Sequence, residues 1–295
     1  MVLLDRPRAV VHVDLDGGRH IYRIRGWHYA EAADPLFESG VAAALDFFDR
    51  HGVRATFFAI AEDLLDPRKR VLLEHIVERG HEIGSHSSTH RRLTTLPDED
   101  HRREVTESRR LLQDALGIPV EGFRAPAFDS SPLTMSAVAE AGYRYDSSLR
   151  IGDRRAARGL GRSIDPGPFQ IISGSPSLEI PLPPTDWLPL PFHPSYSLIL
   201  GHRYFLLGLR QAIGRVPVFV LLFHLTDFSA PLDTSLLRPP MSRFFTLSHL
   251  SSEAKRERCR RMLDAVRGEY AVVPTRSVIG SVNAAHGGSH ESVIQ

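Results

Sequence analysis

The chain has very little cysteine, no excess of either charge and no long apolar run, and each shortage removes a class of protein. Cys259 is the only cysteine among 295 residues, so an intramolecular disulfide and a cysteine-ligated zinc site are both excluded. Cys259 lies in an amphipathic run with Ala254, Met262, Leu263 and Val266 and reads as a small core residue. Basic residues number 36 and acidic residues 35, a net charge of +1. No global basic field marks a nucleic-acid partner. The most apolar stretch, 216–225, is too short to span a bilayer and contains His224. The first residues, Met1 to Arg6, lack the organisation of a signal peptide. The chain therefore reads as a cytoplasmic protein, with contact to a membrane surface left open. An apolar fraction of 42% and a charged fraction of 24% are ordinary for a globular protein.

What is present is a repeated strand–helix pattern. Residues 9–15 alternate: Val11, Val13 and Leu15 face one way, and His12, Asp14 and Asp16 face the other. Asp34-Pro35 reads as an N-cap and first helical residue, and Asp66-Pro67 repeats the signal. Gly52 and Gly80 close these helices. Strands are expected at 54–60, 82–85, 178–182, 218–223 and 270–273. Further helices are expected at 98–116 and 131–141, with another carrying Cys259. Strand–helix units in one direction predict a parallel sheet covered by helices, with its active site where strands end. Segments 17–34, 150–176 and 183–201 read as long loops. Residues 1–283 read as one domain and 284–295 as a disordered tail.

The polar residues of interest fall at strand ends. Asp14 and Asp16 share one side of a strand, where two unpaired carboxylates resist burial unless a cation relieves them. His86 and His90 have the i, i+4 spacing of one face of a helical turn, with Ser87 and Thr89 able to hold that turn. A metal-bound imidazole needs its second nitrogen fixed, so partners are expected for both rings. Together these groups offer one carboxylate and two imidazoles for a divalent ion, with a second carboxylate left as a base. Arg124, at another strand end, is suited to pair with a carboxylate. His224 closes an apolar strand, where it serves either as a satisfied core group or as a proton donor.

The order of these motifs resembles the polysaccharide deacetylase family, the NodB-homology or carbohydrate esterase family 4 group. Asp14-Leu15-Asp16-Gly17 is similar to its first motif and His86-Ser87-Ser88-Thr89-His90 to its second. Arg124-Ala125-Pro126 is similar to its third and Leu221-Leu222-Phe223-His224 to its fifth. The resemblance covers 9–228 and implies a distorted, incomplete (β/α) barrel. It implies Asp14 as base, and Asp16, His86 and His90 as ligands of one divalent metal ion: zinc first, then cobalt, nickel or manganese. It further implies Arg124 tuning Asp14, the Ala127 N–H as an oxyanion donor and His224 as general acid. The implied activity is removal of an N-acetyl or other N-acyl group from an amino sugar, on an intracellular glycan or a nucleotide-linked or lipid-linked intermediate. Two departures stand out. Leu15 separates aspartates that most members have adjacent, and Asp186-Trp187 is the best match to an otherwise missing fourth motif.

Two rival readings remain at this point. One is an amidohydrolase of a small linear or cyclic amide on the same metal site. The other is a catalytically inactive carbohydrate-binding relative. The loops carrying Trp27 and Trp187 leave the same rim, so one of these indoles is expected in the substrate cleft. The apolar stretch 187–207 reads equally as a plug over the rim and as a lipid contact. Arg19, Arg23 and Arg25 read as a phosphate contact or as a solvated face. Oligomeric state is not legible.

Overall fold

The structure is a computed structural model that describes residues 7–29, 33–184, 192–233, 235, 237 and 240–287, with side chains described to residue 282. One sheet organises it. Its strands are β1 (Arg8–Asp14), β2 (Thr56–Ala59), β3 (Glu82–Ser85), β4 (Gly122–Phe123), β5 (Tyr145–Asp146), β6 (Phe169–Gln170), β7 (Leu178–Glu179), β8 (Val218–His224) and β9 (Ala271–Val272). The order is β6-β7-β5-β4-β3-β2-β1-β8, with β9 also beside β1. Every pairing is parallel except β6 with β7. The sheet curls into an incomplete (β/α) barrel, the expected fold.

The helices form where their start signals lie. Asp34 caps the helix Pro35–Arg50 by accepting from the Phe37 N–H, and Asp66 caps Pro67–Glu78 by accepting from the Arg68 N–H. Proline at the first position gives up an N–H that has no intrahelical partner there. These helices cover the convex face of the sheet. Ala9, Val11, Val13, Phe57 and Phe223 from the strands pack there against Phe37, Phe48, Leu73 and Val105.

The concave face has its own smaller core. Val10, Phe58, Tyr145, Val220 and Leu222 meet Val278, Ile279 and Val282 of the last helix, Thr275–Gly287. Two strand glycines make room on it. A Cβ at Gly84 would lie 2.7 Å from the Phe58 ring, and one at Gly122 would lie 2.2 Å from the Tyr145 ring. Tyr145 can therefore cross β4 and reach Glu82 on β3.

Several segments differ from the sequence expectation. The loop after β1 contains the helix Gly18–Ile24, and the second long loop contains the helix Arg154–Leu160 and β6. The third contains the helix Pro194–Leu200, which with His202–Ala212 sends Leu198, Phe205 and Leu209 into the convex core. Short amphipathic turns with few periodic positions are ordered here by tertiary packing rather than propensity. The last helix runs past Ala284 into the segment read as a tail, carried on by Val278, Ile279 and Val282. Residues 288–295 lie outside the described residues. Among the described residues, no helix is long and apolar enough to cross a membrane.

Candidate metal and catalytic site

The site lies at the C-terminal ends of β1, β3, β4 and β8. Asp14 is the last residue of β1, and Asp16 follows after one more ladder bond, from the Leu15 N–H to the Phe58 carbonyl. Beyond Asp16 the chain turns sharply beneath Asp34. The Gly18 N–H donates to Asp34 Oδ1 at 2.9 Å, and a Cβ at Gly17 would lie 2.2 Å from Asp34 Oδ2. Lys69 Nζ completes the clamp, 2.9 Å from Asp34 and 2.7 Å from Asp63. All three side chains are buried, and removing one member would leave an uncompensated charge.

The loop from His86 to His90 follows β3. The spacing predicts a helical turn, but the structure has a bend in which Ser87 (φ 68°) and His90 (φ 57°) are left-handed. Neighbouring groups supply the bonds that a helix would have made. The Ser87 hydroxyl accepts from the His90 N–H, and the Ser88 N–H donates to the Glu104 carbonyl. The Thr89 N–H donates to the Glu104 carboxylate. Such backbone is costly for non-glycine residues and persists where its surroundings fix it.

This loop brings the expected trio together. One ligand atom each from Asp16, His86 and His90 lies within 4.8 Å of the others. Asp16 Oδ1 is 3.0 Å from His90 Nε2 and 3.4 Å from His86 Nε2. Asp16 Oδ1 and His90 Nε2 are nevertheless buried without a hydrogen bond of acceptable geometry. Lone pairs converging without in-line hydrogen bonds, on one carboxylate and two imidazoles, fit a divalent cation. Burial would raise the pKa of Asp16, but His90 and His86 hold it well below the usual carboxylate range. Burial would lower His86, but Asp14 and Asp16 raise it; His90 is lowered, because burial outweighs Asp16.

His86 donates from Nδ1 to the Arg124 carbonyl at 2.8 Å, which leaves Nε2 as the free ligand atom. A partner of its own was expected for the His90 ring. Instead its Nδ1 is buried with no hydrogen bond, and the His20 ring stands edge-on, 5.6 Å between centroids. The left-handed backbone at His90 gives its ring a setting unlike that of His86.

Around Asp14 the other expected groups assemble. Arg124 Nε is 3.3 Å from Asp14 Oδ1, and both side chains are buried. His224 Nε2 is 3.8 Å from Asp14 Oδ2. Its Nδ1 is 3.2 Å from Ser195 Oγ, and its backbone N–H donates to Asp227 Oδ2 at 2.9 Å. Ala127 is exposed with φ 53° and ψ 22°, in the turn just after Arg124.

Trp27 is half-buried against Tyr22 and Phe245, with the Arg25 guanidinium 5.7 Å from its ring; none of its ring contacts is with the trio. Arg25 also lies over the Phe245 ring, while Arg23 pairs with Glu62 and the Thr89 carbonyl. Trp187 and Asp186 lie outside the described residues. Sequence reasoning missed His20, Glu104, Ser195 and Asp227. Their only signal is a polar residue inside an otherwise helical or apolar run, which does not say what it will meet.

A carboxylate and two imidazoles at the C-terminal rim of a curled parallel sheet, beside an arginine-paired aspartate, define the class of the site: a candidate divalent-cation site with a paired carboxylate next to it. The comparisons narrow this class. Residues 32–145 match the family model described as polysaccharide deacetylase. The peptidoglycan deacetylase of Helicobacter pylori is 26% identical over 116 residues, which span 39% of this chain and 39% of that protein. A Mycobacterium smegmatis structure of the polysaccharide deacetylase type superposes with a TM-score of 0.63 at 19% identity, covering 97% of this chain and 94% of that one. The PuuE allantoinase superposes with a TM-score of 0.61 at 18% identity, covering 95% and 91%. At these identities the superpositions establish the fold.

Proposed function

We propose that the chain is a metal-dependent amide hydrolase that removes the N-acyl group, acetyl first, from an amino sugar. The observation that carries this reading is the meeting of two sets of groups on one rim. Asp16, His86 and His90 offer a ligand set for one divalent ion, zinc foremost. Beside them Asp14 is held by Arg124 and approached by His224. The family to which residues 32–145 match and the likeness to a peptidoglycan deacetylase support the same reading.

A bound divalent ion acidifies water and polarises a carbonyl oxygen. The chain's own residues do the rest. Asp14 accepts the proton of the attacking water, and Arg124 fixes the direction in which its carboxylate points. The Ala127 N–H donates to the oxygen that gains charge as the carbonyl becomes tetrahedral. His224, oriented through Ser195, delivers a proton to the departing amine nitrogen, a poor leaving group without it. One of the two indoles, Trp27 or Trp187, is proposed to flank the sugar.

The finer proposal is an amino sugar carried on a nucleotide or lipid phosphate inside the cell. Arg25, stacked on Phe245 in the loop that follows Asp16, is a cation suited to such a phosphate. The test is acetate release from chitotetraose and from nucleotide-linked N-acetylglucosamine, with zinc-loaded and chelator-treated protein. Release from either, lost with the metal and restored by it, supports the proposal. Hydrolysis of ureides or cyclic imides in place of both would move the activity to small amides. Protein that binds no divalent ion would overturn the reading.

A further inference from the structure

Asp14 depends on Arg124 for its setting, and the geometry raises the question of what sets Arg124. Its guanidinium is fully buried. Nη2 makes its two hydrogen bonds, 2.5 Å to His12 Nδ1 and 3.1 Å to Ser147 Oγ, while Nε faces Asp14. His12 is two residues before Asp14 on β1, on the same face and wholly buried. Its other ring nitrogen, Nε2, is 3.1 Å from Thr275 Oγ1 at the start of the last helix. Thr275 Oγ1 is 2.8 Å from Thr56 Oγ1. Thr56 Oγ1 donates to Glu82 Oε2 at 3.0 Å, and the Tyr145 hydroxyl donates to Glu82 Oε1 at 2.7 Å.

The donors along this line have one consistent assignment. Arginine can only donate, so His12 Nδ1 must accept and Nε2 must carry the proton. From the far end, Thr56 spends its one proton on Glu82, so Thr275 donates to Thr56 and its oxygen receives the His12 Nε2–H. With Glu82 ionised, the far end thus agrees with the tautomer that Arg124 requires. Burial, and then the neighbouring Arg124, hold the pKa of His12 well below 6.5, which keeps the ring neutral and able to accept.

We propose that His12 is a positioning residue for the reaction. Neutral and protonated on Nε2, it is fixed by the line Thr275–Thr56–Glu82, and it holds the Arg124 guanidinium against Asp14. It touches no substrate and acts only through Arg124. The proposal rests on the reading of Asp14 as the base. Small misplacements of a reacting group cost up to about 10²-fold in rate, and that is the expected scale.

The test has a kinetic and a spectroscopic arm. His12→Leu fills similar space but offers no acceptor. In zinc-loaded protein it should lower kcat on chitotetraose by about 10- to 100-fold while KM moves less than about twofold. His12→Asn, whose Oδ1 falls near the Nδ1 position, should recover most of the loss. Thr275→Val, far from the reacting atoms, should lower kcat by a few-fold, and Thr275→Ser should restore it. A His12→Leu enzyme within twofold of wild type overturns the proposal, and so does an Asn variant that recovers nothing. Spectra of 15N-histidine-labelled wild type should show His12 Nδ1 bare and Nε2 protonated across neutral pH. A protonated Nδ1 overturns the proposal whatever the turnover. If wild type has the expected tautomer but no turnover, the deacetylase reading fails instead. The proposal is then decided by 15N-arginine spectra: Arg124 Nη protons should exchange slowly in wild type and rapidly in His12→Leu. Equal exchange overturns it.

Discussion

The two faces of the sheet are built on different principles, although the same strands make both. On β1, Ala9, Val11 and Val13, followed by Leu15 just past its end, point into the convex core, while His12 and Asp14 point into the concave side. The convex face is an aromatic and aliphatic layer in which Phe48 alone meets Phe47, Phe57, Phe223 and Phe228. Its cohesion is the removal of apolar area from water, which is non-directional and summed over many contacts. The concave face buries His12, Asp14, Thr56, Arg124 and Ser147 around a small apolar plug. There each polar group must find a partner or incur the full desolvation cost. One face therefore supplies stability that tolerates some change of shape. The other supplies orientation, which tolerates almost none.

The largest contrast comes from one substitution on each face. Asp14→Asn removes the proposed base while keeping its shape. It should reduce turnover by about 10²–10⁴-fold with bound zinc, by elemental analysis, unchanged. Phe48→Ala should leave kcat at low temperature within about twofold of wild type but cost about 3–5 kcal/mol of stability, read from urea unfolding. If Asp14→Asn kept near-normal activity, the base assignment would fail. If Phe48→Ala lost turnover without losing stability, the division between the faces would be wrong.

The same division explains what the sequence could reveal. Period-two alternation put His12, Asp14 and Asp16 on one side, and the convex partners were legible because apolar periodicity reports a large surface. Asp34-Pro35 and Asp66-Pro67 marked helix starts because capping is a local interaction. The His86 and His90 pairing was legible as a spacing but not as a shape, since the bend depends on the side chain and carbonyl of Glu104, far along the chain. Strands β5 and β6 have two residues each and leave no periodic trace, whereas β7 opens the expected strand 178–182. The partnership of Ser195 with His224 spans 29 positions, and nothing in either segment announces it.

A smaller effect tests how the short strands β5 and β7 carry buried charge outside the concave network. Asp146 and Glu179 are neighbours in wholly buried positions. Burial pushes Asp146 up to about 6, against hydrogen bonds from Ser148 and Glu179 and the charge of Arg124; burial and then Asp146 push Glu179 up as well. A carboxyl whose folded pKa is raised contributes stability that is fully present below its unfolded value, near 4, and lost as pH rises through the folded value. Asp146→Asn removes the titrating group and keeps an acceptor for the Ser148 hydroxyl. Its stability relative to wild type should therefore rise between pH 4 and pH 8, with the gain complete above pH 6. Thermal melts of both proteins across that range decide it; a difference that is flat with pH, or that falls, would mean that the pair is ionised at little cost.

The smallest predicted effect concerns the edge of the concave face, where orientation is achieved with one exposed-side contact rather than a buried network. His224 is met at Nδ1 by the Ser195 hydroxyl, and its backbone N–H donates to Asp227. Ser195→Ala removes that hydrogen bond but leaves the ring packed against His193, 5.1 Å between centroids. A single neutral hydrogen bond contributes about 0.5–1.5 kcal/mol, which corresponds to roughly a 2- to 12-fold change in rate. The expected result is a fall in kcat of that size, with KM unchanged and Ser195→Thr closer to wild type than Ala. A loss of 10²-fold or more would show that the rim is as intolerant as the buried interior, and the contrast between deep and peripheral positioning would have to be abandoned. An unchanged kcat would show that packing against His193 suffices to orient the proposed acid.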